Sequence, residues 1–165
     1  FVFYIWVISF SKDVKRVYEY HGAEHKSIYA YENKMELTPE NAKGFTTLHP
    51  RCGTSFLLIV MLISIIVFSC MDFILPVPVN GIERVIIKVV LRVILMPLIA
   101  GISYEIQRYS SNHLDKVWVR ALAFPGLSLQ RITTKEPDLL QLEVAIVAIK
   151  AALGENVENA TEIEG

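Results

Sequence analysis

Two histidines and a glutamate standing close together are the residues best suited to chemistry in this chain. They form the run His21-Gly22-Ala23-Glu24-His25, a His-x-x-Glu-His motif. On a helix, His21 and His25 lie one turn apart on the same face, where both imidazoles can bind one metal ion. Glu24 projects beside them, where its carboxylate can accept a proton from a water that the ion activates. The motif therefore predicts a divalent metal site, preferably for zinc, with Glu24 as general base.

A simpler interpretation of the same histidines is that they cap a helix end or pair with Glu19 and Glu24. Two observations favour metal ligation. All four histidines fall in polar segments: His21, His25, His49 and His113. Cys52 follows His49 by three residues and adds a second residue type that binds zinc. Three protein ligands and a water would make an open, catalytic site, whereas four ligands including Cys52 would make a closed, structural one.

Two further residues are predicted to take part in the site. The order of the motif is that of the inverted zincins, in which a distant downstream glutamate supplies the third ligand, and Glu105 fits that role by type. The alternative for Glu105 is an ordinary interface carboxylate paired with Arg108 or Arg51. Arg51 itself is predicted to bind an anionic group, either of a substrate or of a lipid phosphate, and the lipid phosphate is preferred.

The elements that must position these residues are membrane helices. The chain is 53% hydrophobic with a mean hydropathy of +0.41, and its apolar residues are concentrated in blocks. Residues 54–75 contain no charge before Asp72, and 82–104 form a second long apolar stretch; about 20 apolar residues suffice to cross a bilayer. Pro76, Pro78 and Gly81 predict a turn between them. We therefore expect a hairpin of two transmembrane helices.

The second predicted span carries Arg84, Lys88 and Arg92, which share one helical face. They either meet lipid head groups near the interface, which is the preferred interpretation, or form a polar seam facing a neighbouring helix. Pro97 is expected to kink this helix.

Residues 1–10 are apolar and end abruptly at Ser11, so we interpret them as the last turns of a truncated transmembrane helix and the chain as a C-terminal fragment. The positive-inside rule places segments 11–53 and 105–153 in the cytoplasm. The basic residues that decide this are Lys12, Lys15, Arg16, Lys26, Lys43, Arg51, Arg108, Lys116, Arg120, Arg131 and Lys135. Arg84, on the outer turn, is the one contrary charge.

The two cytoplasmic segments are expected to be helical. The first begins with a helix capped by Ser11 or Asp13 that carries the motif to Tyr31, followed by turns or a short second helix near 38–44. In the second, residues 124–126 predict a turn and 133–136 a capping box. The helix that follows is predicted to be amphipathic, with one apolar stripe: Leu139, Leu142, Ile146, Ile149 and Leu153. It either packs on the protein, which is the preferred interpretation, or lies on the membrane surface. Residues 154–165 are acidic and predicted to be disordered.

The net charge of −1 does not indicate a nucleic-acid partner. Cys52 and Cys70 stand eighteen residues apart, a span of about 27 Å on a helix. A disulfide requires Cα atoms within about 7 Å, so these two cysteines cannot bridge within one helix.

Four runs also resemble the YqhQ family of bacterial membrane proteins: YHGAEHKSIYAYEN at 20–33, LHPRCGTSFLLIVMLISIIVFS at 48–69, PLIAGISYEIQR at 97–108 and PGLSLQRITTKEPD at 125–138. The resemblance extends from about residue 12 to 153. It implies a metal-dependent enzyme with its metal site at residues that match the family motifs: His21, Glu24, His25, His49 and Cys52. It also implies a glycine-rich segment and further membrane helices ahead of this chain.

The function that these features favour is a metal-dependent hydrolase at the cytoplasmic face of the bacterial inner membrane, in a multi-pass protein. Its partners are the lipid bilayer and a membrane-associated substrate, lipid-linked or peptide, or a second copy of the chain. The first alternative is a non-enzymatic scaffold or assembly factor with a structural metal or polar cluster. A transport component built on the basic stripe, the helical face that carries Arg84, Lys88 and Arg92, ranks last.

Overall fold

The computed structural model describes residues 2–74 and 81–155, and over these ranges the chain is helical with no strand, as predicted. The helices are α1 Val2–Ile8, α2 Lys12–Glu32, α3 Pro39–Lys43, α4 Gly53–Ile74, α5 Ile82–Asn112, α6 Val117–Thr133 and α7 Leu139–Ala152. They form two compact units. The first comprises Phe1–His49 with Ser128–Gly165, and the second comprises Pro50–Leu127.

Helix α2 carries the His-x-x-Glu-His motif in its middle, as the sequence predicted. Ser11 is its N-cap in an extended conformation, without a side-chain cap bond, and Asp13 lies in the first turn. A carboxylate there is stabilised by the partial positive charge of the helix N-terminus. The helix ends at Glu32 with Asn33 as its C-cap, and Lys34 then adopts a positive φ of 55°. The predicted short helix is α3, where the Thr38 side chain accepts a hydrogen bond from Asn41 N.

The core of the first unit lies between α2, α3 and α7. Its fully or almost fully buried members are Ala23, Ala30, Ala42, Leu142 and Ile146. Alanines seven residues apart on α2 lie on one face and let the neighbouring helix approach closely, while the larger Leu142 and Ile146 fill the space. The prediction that the amphipathic helix packs on the protein is confirmed.

The predicted capping box at 133–136 is wrong. Helix α7 begins later, and Asp138 caps it: its carboxylate accepts from Gln141 N at 2.7 Å, while Gln141 Oε1 accepts from Asp138 N at 2.9 Å. These reciprocal bonds satisfy two backbone N–H groups at the start of the helix, as the bonds of a Thr-x-x-Glu capping box would. Thr134 instead follows the end of α6, where its hydroxyl donates to Gln130 O at 2.8 Å.

The predicted turn at 124–126 is also wrong, because α6 continues through Pro125 and Gly126. A proline inside a helix removes one backbone hydrogen bond. The reason that the helix persists is tertiary: an added Cβ on Gly126 would lie 2.8 Å from Ser55 Cβ, so α6 packs tightly on α4 at this point. Packing of this kind routinely overrides local propensity.

In the second unit, α4 and α5 pack along each other, and both are long and apolar enough to cross a membrane. Only 6% of the most apolar window of each helix is buried, whereas a core helix of a soluble protein would be largely buried. Helix α5 reaches Asn112, further than the predicted end at Tyr104. Most of the predicted turn at 76–81 and of the acidic end at 154–165 lies outside the described residues.

An ion-pair cluster joins the two helices of this hairpin. Lys88 Nζ lies 3.0 Å from Asp72 Oδ1, and an Arg92 guanidinium nitrogen donates to Asp72 Oδ2 at 3.0 Å. The Arg92 guanidinium also lies over the Phe68 ring, 5.3 Å from its centroid. The preferred head-group interpretation is therefore wrong for Lys88 and Arg92, which form the polar seam. In apolar surroundings the Asp72 carboxylate on the neighbouring helix α4 compensates the charges of Lys88 and Arg92.

We expect Asp72→Asn to destabilise the hairpin, because Lys88 and Arg92 would then face a neutral amide between two apolar helices. The Tm of the purified protein in detergent should fall by several degrees, and by clearly more than in Glu83→Gln. Glu83 lies in the first turn of α5 and serves as the matched control for loss of one carboxylate. Equal Tm values for the two variants would contradict a stabilising role for Asp72.

Candidate metal centre

The rings of His21 and His25 lie side by side in the first unit. Their centroids are 4.4 Å apart and their planes are inclined at 65°. His25 is buried and His21 is partly buried. The one-turn spacing on α2 brings the two rings together, as the sequence predicted.

Each of these two rings is oriented by a backbone carbonyl. His21 Nδ1 lies 2.9 Å from Thr133 O, and His25 Nδ1 lies 2.5 Å from Thr47 O. A carbonyl oxygen can only accept, so each Nδ1 carries the proton and donates it. In the neutral ring the lone pair is then on Nε2, which is the arrangement in which histidines bind metal ions.

The carbonyl of Thr133 reaches His21 because Gly22 lets the chain cross α2 closely. An ideal Cβ on residue 22 would overlap Lys135 O and lie 3.2 Å from Thr47 Cγ2. Lys135 N donates to Tyr18 O at 2.9 Å, one turn earlier on α2. The glycine inside the motif thus has a structural reason: it admits the segment that orients the first histidine.

His49 lies next to this pair. Its ring centroid is 5.6 Å from that of His25 and 4.7 Å from that of Tyr29. The hydroxyl of Tyr29 donates to Leu48 O at 3.0 Å. The structure therefore brings together the three predicted histidines of the first unit.

The backbone of His49 is held by Gln130, a fully buried residue of α6. Gln130 Oε1 accepts from His49 N at 2.7 Å, and Gln130 Nε2 donates to His49 O at 2.8 Å. Sequence reasoning missed Gln130. No periodicity signals a clamp between residues 81 positions apart, because it depends on tertiary packing.

We expect Gln130→Met, which is similar in size but cannot form these hydrogen bonds, to lower the free energy of unfolding by about 2–6 kcal/mol. The reason is that two buried backbone groups of His49 would lose their partner, at about 1–3 kcal/mol each. Chemical denaturation of the purified protein measures this. Gln130→Glu should lose at least as much, because its carboxylate would be buried and would face the acceptor His49 O without a donor; an unfolding free energy unchanged in both variants would refute the clamp.

Two acidic residues and a lysine that were not predicted as site residues also lie around the histidines. His49 Nε2 lies 3.5 Å from Glu32 Oε2, so Glu32 competes for a nitrogen that a metal would use. Lys26, only 3% exposed, pairs with Glu136 at 2.5 Å and donates to Lys43 O at 2.9 Å. A buried cation needs such partners, and these ones join the end of α3 and the segment between α6 and α7 to α2.

The other predicted site residues are Glu24 on α2 and three residues of the second unit. Glu24 is exposed on α2 and has no hydrogen bond or ion pair among the residues that the structure describes. Arg51, Cys52 and Glu105 belong to the second unit. Cys52 is buried and its carbonyl accepts from Gln107 at 2.9 Å, while Glu105 lies 3.7 Å from Arg108, which is the predicted alternative for that carboxylate. Catalysis by Glu24 and metal ligation by Cys52 and Glu105 stay predictions.

The donor set of the first unit fits a zinc-like ion. Two imidazoles with fixed Nδ1 protons offer nitrogen lone pairs, a third imidazole lies beside them, and Glu24 and Glu32 stand on the same helix. Imidazole and carboxylate groups are typical zinc ligands. A zinc-binding histidine usually donates the N–H of its other ring nitrogen to a carbonyl or a carboxylate, as the Nδ1 atoms do here.

Comparison with known proteins relates the chain to others whose function is not described. Residues 1–155 match a family described as "Protein of unknown function (DUF1385)". The chain is 39% identical over 150 residues to a protein of Bacillus subtilis (strain 168) described as "Uncharacterized protein YqhQ", covering 91% of this chain and 44% of that protein. The chain thus spans less than half the length of this relative. No solved structure matches it.

Proposed function

This chain belongs to the DUF1385 family of proteins of unknown function, and from that premise we propose that it is a zinc-dependent hydrolase acting at the cytoplasmic face of a bacterial inner membrane. The observation that carries the proposal is the pair of adjacent imidazoles on α2. Both have Nδ1 bonded to a carbonyl, so that in the neutral rings both lone pairs are on Nε2, and the two ring centroids are 4.4 Å apart.

The membrane location rests on α4 and α5, two apolar helices with almost no buried surface. Burying this surface in lipid is favourable, whereas exposing it to water costs about 25 cal/mol per Å². The excess of Lys and Arg in segments 11–53 and 105–153 favours a cytoplasmic position for both segments.

In the proposed centre His21 and His25 hold the ion, and His49 or Cys52 completes its coordination. Cys52 follows His49 by three residues, which keeps their Cα atoms within about 11 Å. When bound, a zinc-like ion supplies Lewis-acid activation and lowers the pKa of water. The Glu24 carboxylate accepts the proton of the attacking water, and the carbonyls of Thr47 and Thr133 keep the rings oriented.

The location favours a membrane-associated substrate, either lipid-linked or a membrane peptide. Arg51 is proposed to bind its anionic group, or a lipid phosphate. The basic stripe is a weaker basis for transport, because Lys88 and Arg92 are paired with Asp72.

The alternative function is a scaffold in which a metal ion fastens the polar segments together. It is favoured by the burial of His25 and His49, which are 2% and 4% exposed, and by Glu32 beside His49. Such surroundings suit a closed, structural site.

The test that separates the two is access of a small anion to the ion. We expect the cobalt-substituted full-length protein to change its visible spectrum on titration with azide, as an open coordination position requires. We also expect Glu24→Gln to keep the metal and to lose hydrolysis of the membrane lipids and peptides offered to it. Glu36→Gln, an exposed carboxylate of the same unit, is the control.

A spectrum that does not respond to azide, together with full metal content, would contradict the hydrolase and support the scaffold. A protein without stoichiometric metal would contradict both.

A further inference from the structure

Two adjoining pockets of different character lie in the second unit. An apolar groove of about 720 Å³ runs between the C-terminal part of α5 and the start of α6, and its lining includes Leu98, Gly101, Ile102, Ile106, Trp118 and Leu122. A smaller pocket of about 350 Å³ is lined by polar side chains, including Arg51, Gln107, Arg108 and Asn112. Tyr104 lines both pockets.

The smaller pocket has the chemistry of an anion site. Arg51 and Arg108 contribute two guanidinium groups, and its lining contains no carboxylate. Gln107 donates to Pro50 O at 3.3 Å and to Cys52 O at 2.9 Å, so the segment that carries Arg51 is fixed to α5. Guanidinium groups bind phosphate oxygens in a bidentate manner. Glu105 lies 3.7 Å from Arg108 with both side chains exposed, and such a pair is weak in solvent.

The groove has the chemistry and size of a lipid-chain site. Its volume is within the range of about 300–1,000 Å³ that ligand pockets occupy. Leu98 and Ile102 are 60% and 44% exposed, and they continue the apolar surface of α5 that the membrane span presents. Trp118 and Tyr109 line its other end, and the Lys116 ammonium lies 6.0 Å from the Tyr109 centroid. Aromatic rings with basic neighbours are typical of the lipid–water interface.

We propose that this pair of pockets binds one anionic phospholipid. Its phosphate lies between Arg51 and Arg108, and one acyl chain occupies the groove. Tyr104, which lines both pockets, stands where the polar and apolar parts of the lipid meet. The proposal rests on the membrane location proposed above and is independent of the metal centre.

A lipid acyl chain in the groove can be detected through Trp118, because this sequence contains only two tryptophans. In a full-length protein whose other tryptophans, Trp6 among them, are replaced by phenylalanine, we expect phosphatidylglycerol brominated on its acyl chains to quench Trp118 fluorescence. Gly101→Phe should reduce that quenching at least about twofold. An added Cβ at Gly101 meets no atom within 4 Å, so the new ring can fill the groove. Val93→Phe, on the exposed surface of α5 outside the groove, is the control and should not change it.

The phosphate can be detected by native mass spectrometry of the detergent-purified protein with added phosphatidylglycerol or phosphatidylethanolamine. We expect a preference for phosphatidylglycerol and a loss of affinity of about tenfold in Arg51→Gln and in Arg108→Gln, the effect of one charge-assisted contact. Arg120→Gln, an exposed cation that does not line the pocket, should retain binding. Inorganic phosphate that competes as well as the lipid would assign the pocket to a free anion and overturn the lipid proposal.

Equal quenching in Gly101→Phe and Val93→Phe, or equal affinity for both lipids in every variant, would also overturn the proposal. A dimer that dissociates in Gly101→Phe without loss of lipid would assign the groove to a second copy of the chain instead. All of these readouts are independent of metal content, so a failure here is distinguishable from a failure of the hydrolase proposal.

Discussion

Replacing His25 by alanine should remove the metal from the full-length protein. We expect the wild type to contain about one zinc-like ion per chain and His25→Ala to contain almost none, because His25 provides one of the two oriented lone pairs on α2. Loss of an outer hydrogen-bonding partner already lowers metal affinity by about 10–100-fold, and loss of a ligand should cost at least as much. Elemental analysis after dialysis measures the stoichiometry.

His113→Ala is the matched control for this experiment. His113 is the C-cap of α5, its Nδ1 lies 2.9 Å from Tyr109 O, and its ring stacks on Tyr109, so its interactions are local. We expect its loss to leave the metal content unchanged. Equal metal content in the His25→Ala and His113→Ala proteins would rule out the proposed centre, provided that both variants are folded.

Single replacements at the other proposed ligands identify the rest of the shell. His49→Ala and Cys52→Ser should each reduce metal affinity only if that residue binds the ion. Glu105→Gln should not reduce it if the carboxylate is engaged with Arg108, as the structure shows.

The second large effect is expected from Gly22→Ala. An added Cβ would overlap the carbonyl oxygen of Lys135, and backbone cannot move aside as the end of a side chain can. We expect a loss of unfolding free energy of about 3 kcal/mol or more, at the upper end of the cost of overpacking. Helix propensity alone predicts the opposite sign, since alanine is favoured over glycine by about 1 kcal/mol. Chemical denaturation of the purified protein decides between the two.

The displaced segment carries Thr133, whose carbonyl orients His21, so Gly22→Ala should also weaken metal binding although it removes no ligand. Gly44→Ala is the control in the same unit. Gly44 has a helical φ of −69°, and an added Cβ there lies 3.9 Å from the nearest atom. A Gly22→Ala protein as stable as Gly44→Ala would contradict the close crossing.

Local sequence determines the features that depend on positions within one helix. Long apolar stretches and the spacing of His21 and His25 predicted correctly the helices and the meeting of two rings, because both depend on positions within one helix. Residues 124–126 and 133–136 were misread, since a proline and a glycine within α6 are tolerated where that helix packs on Ser55, and two capping motifs stand close together in the sequence.

The basic stripe is a second case in which the spacing within one helix did not reveal a contact between helices. The spacing of Arg84, Lys88 and Arg92 placed them on one face, but it did not reveal that Asp72 on the preceding helix would compensate two of them. The choice between head groups and a helix seam depends on the rotation of α5 relative to α4, which is set by packing between the two helices.

The sequence by itself thus determined the mostly helical class, two segments able to cross a membrane, and two imidazoles one turn apart, because 3.6-residue periodicity and apolar length act locally. Only the tertiary structure decided which carbonyls orient those imidazoles, that Gln130 holds His49 and that Gly22 must lack a side chain. These contacts join residues that are far apart in the sequence, and their geometry depends on how whole helices pack.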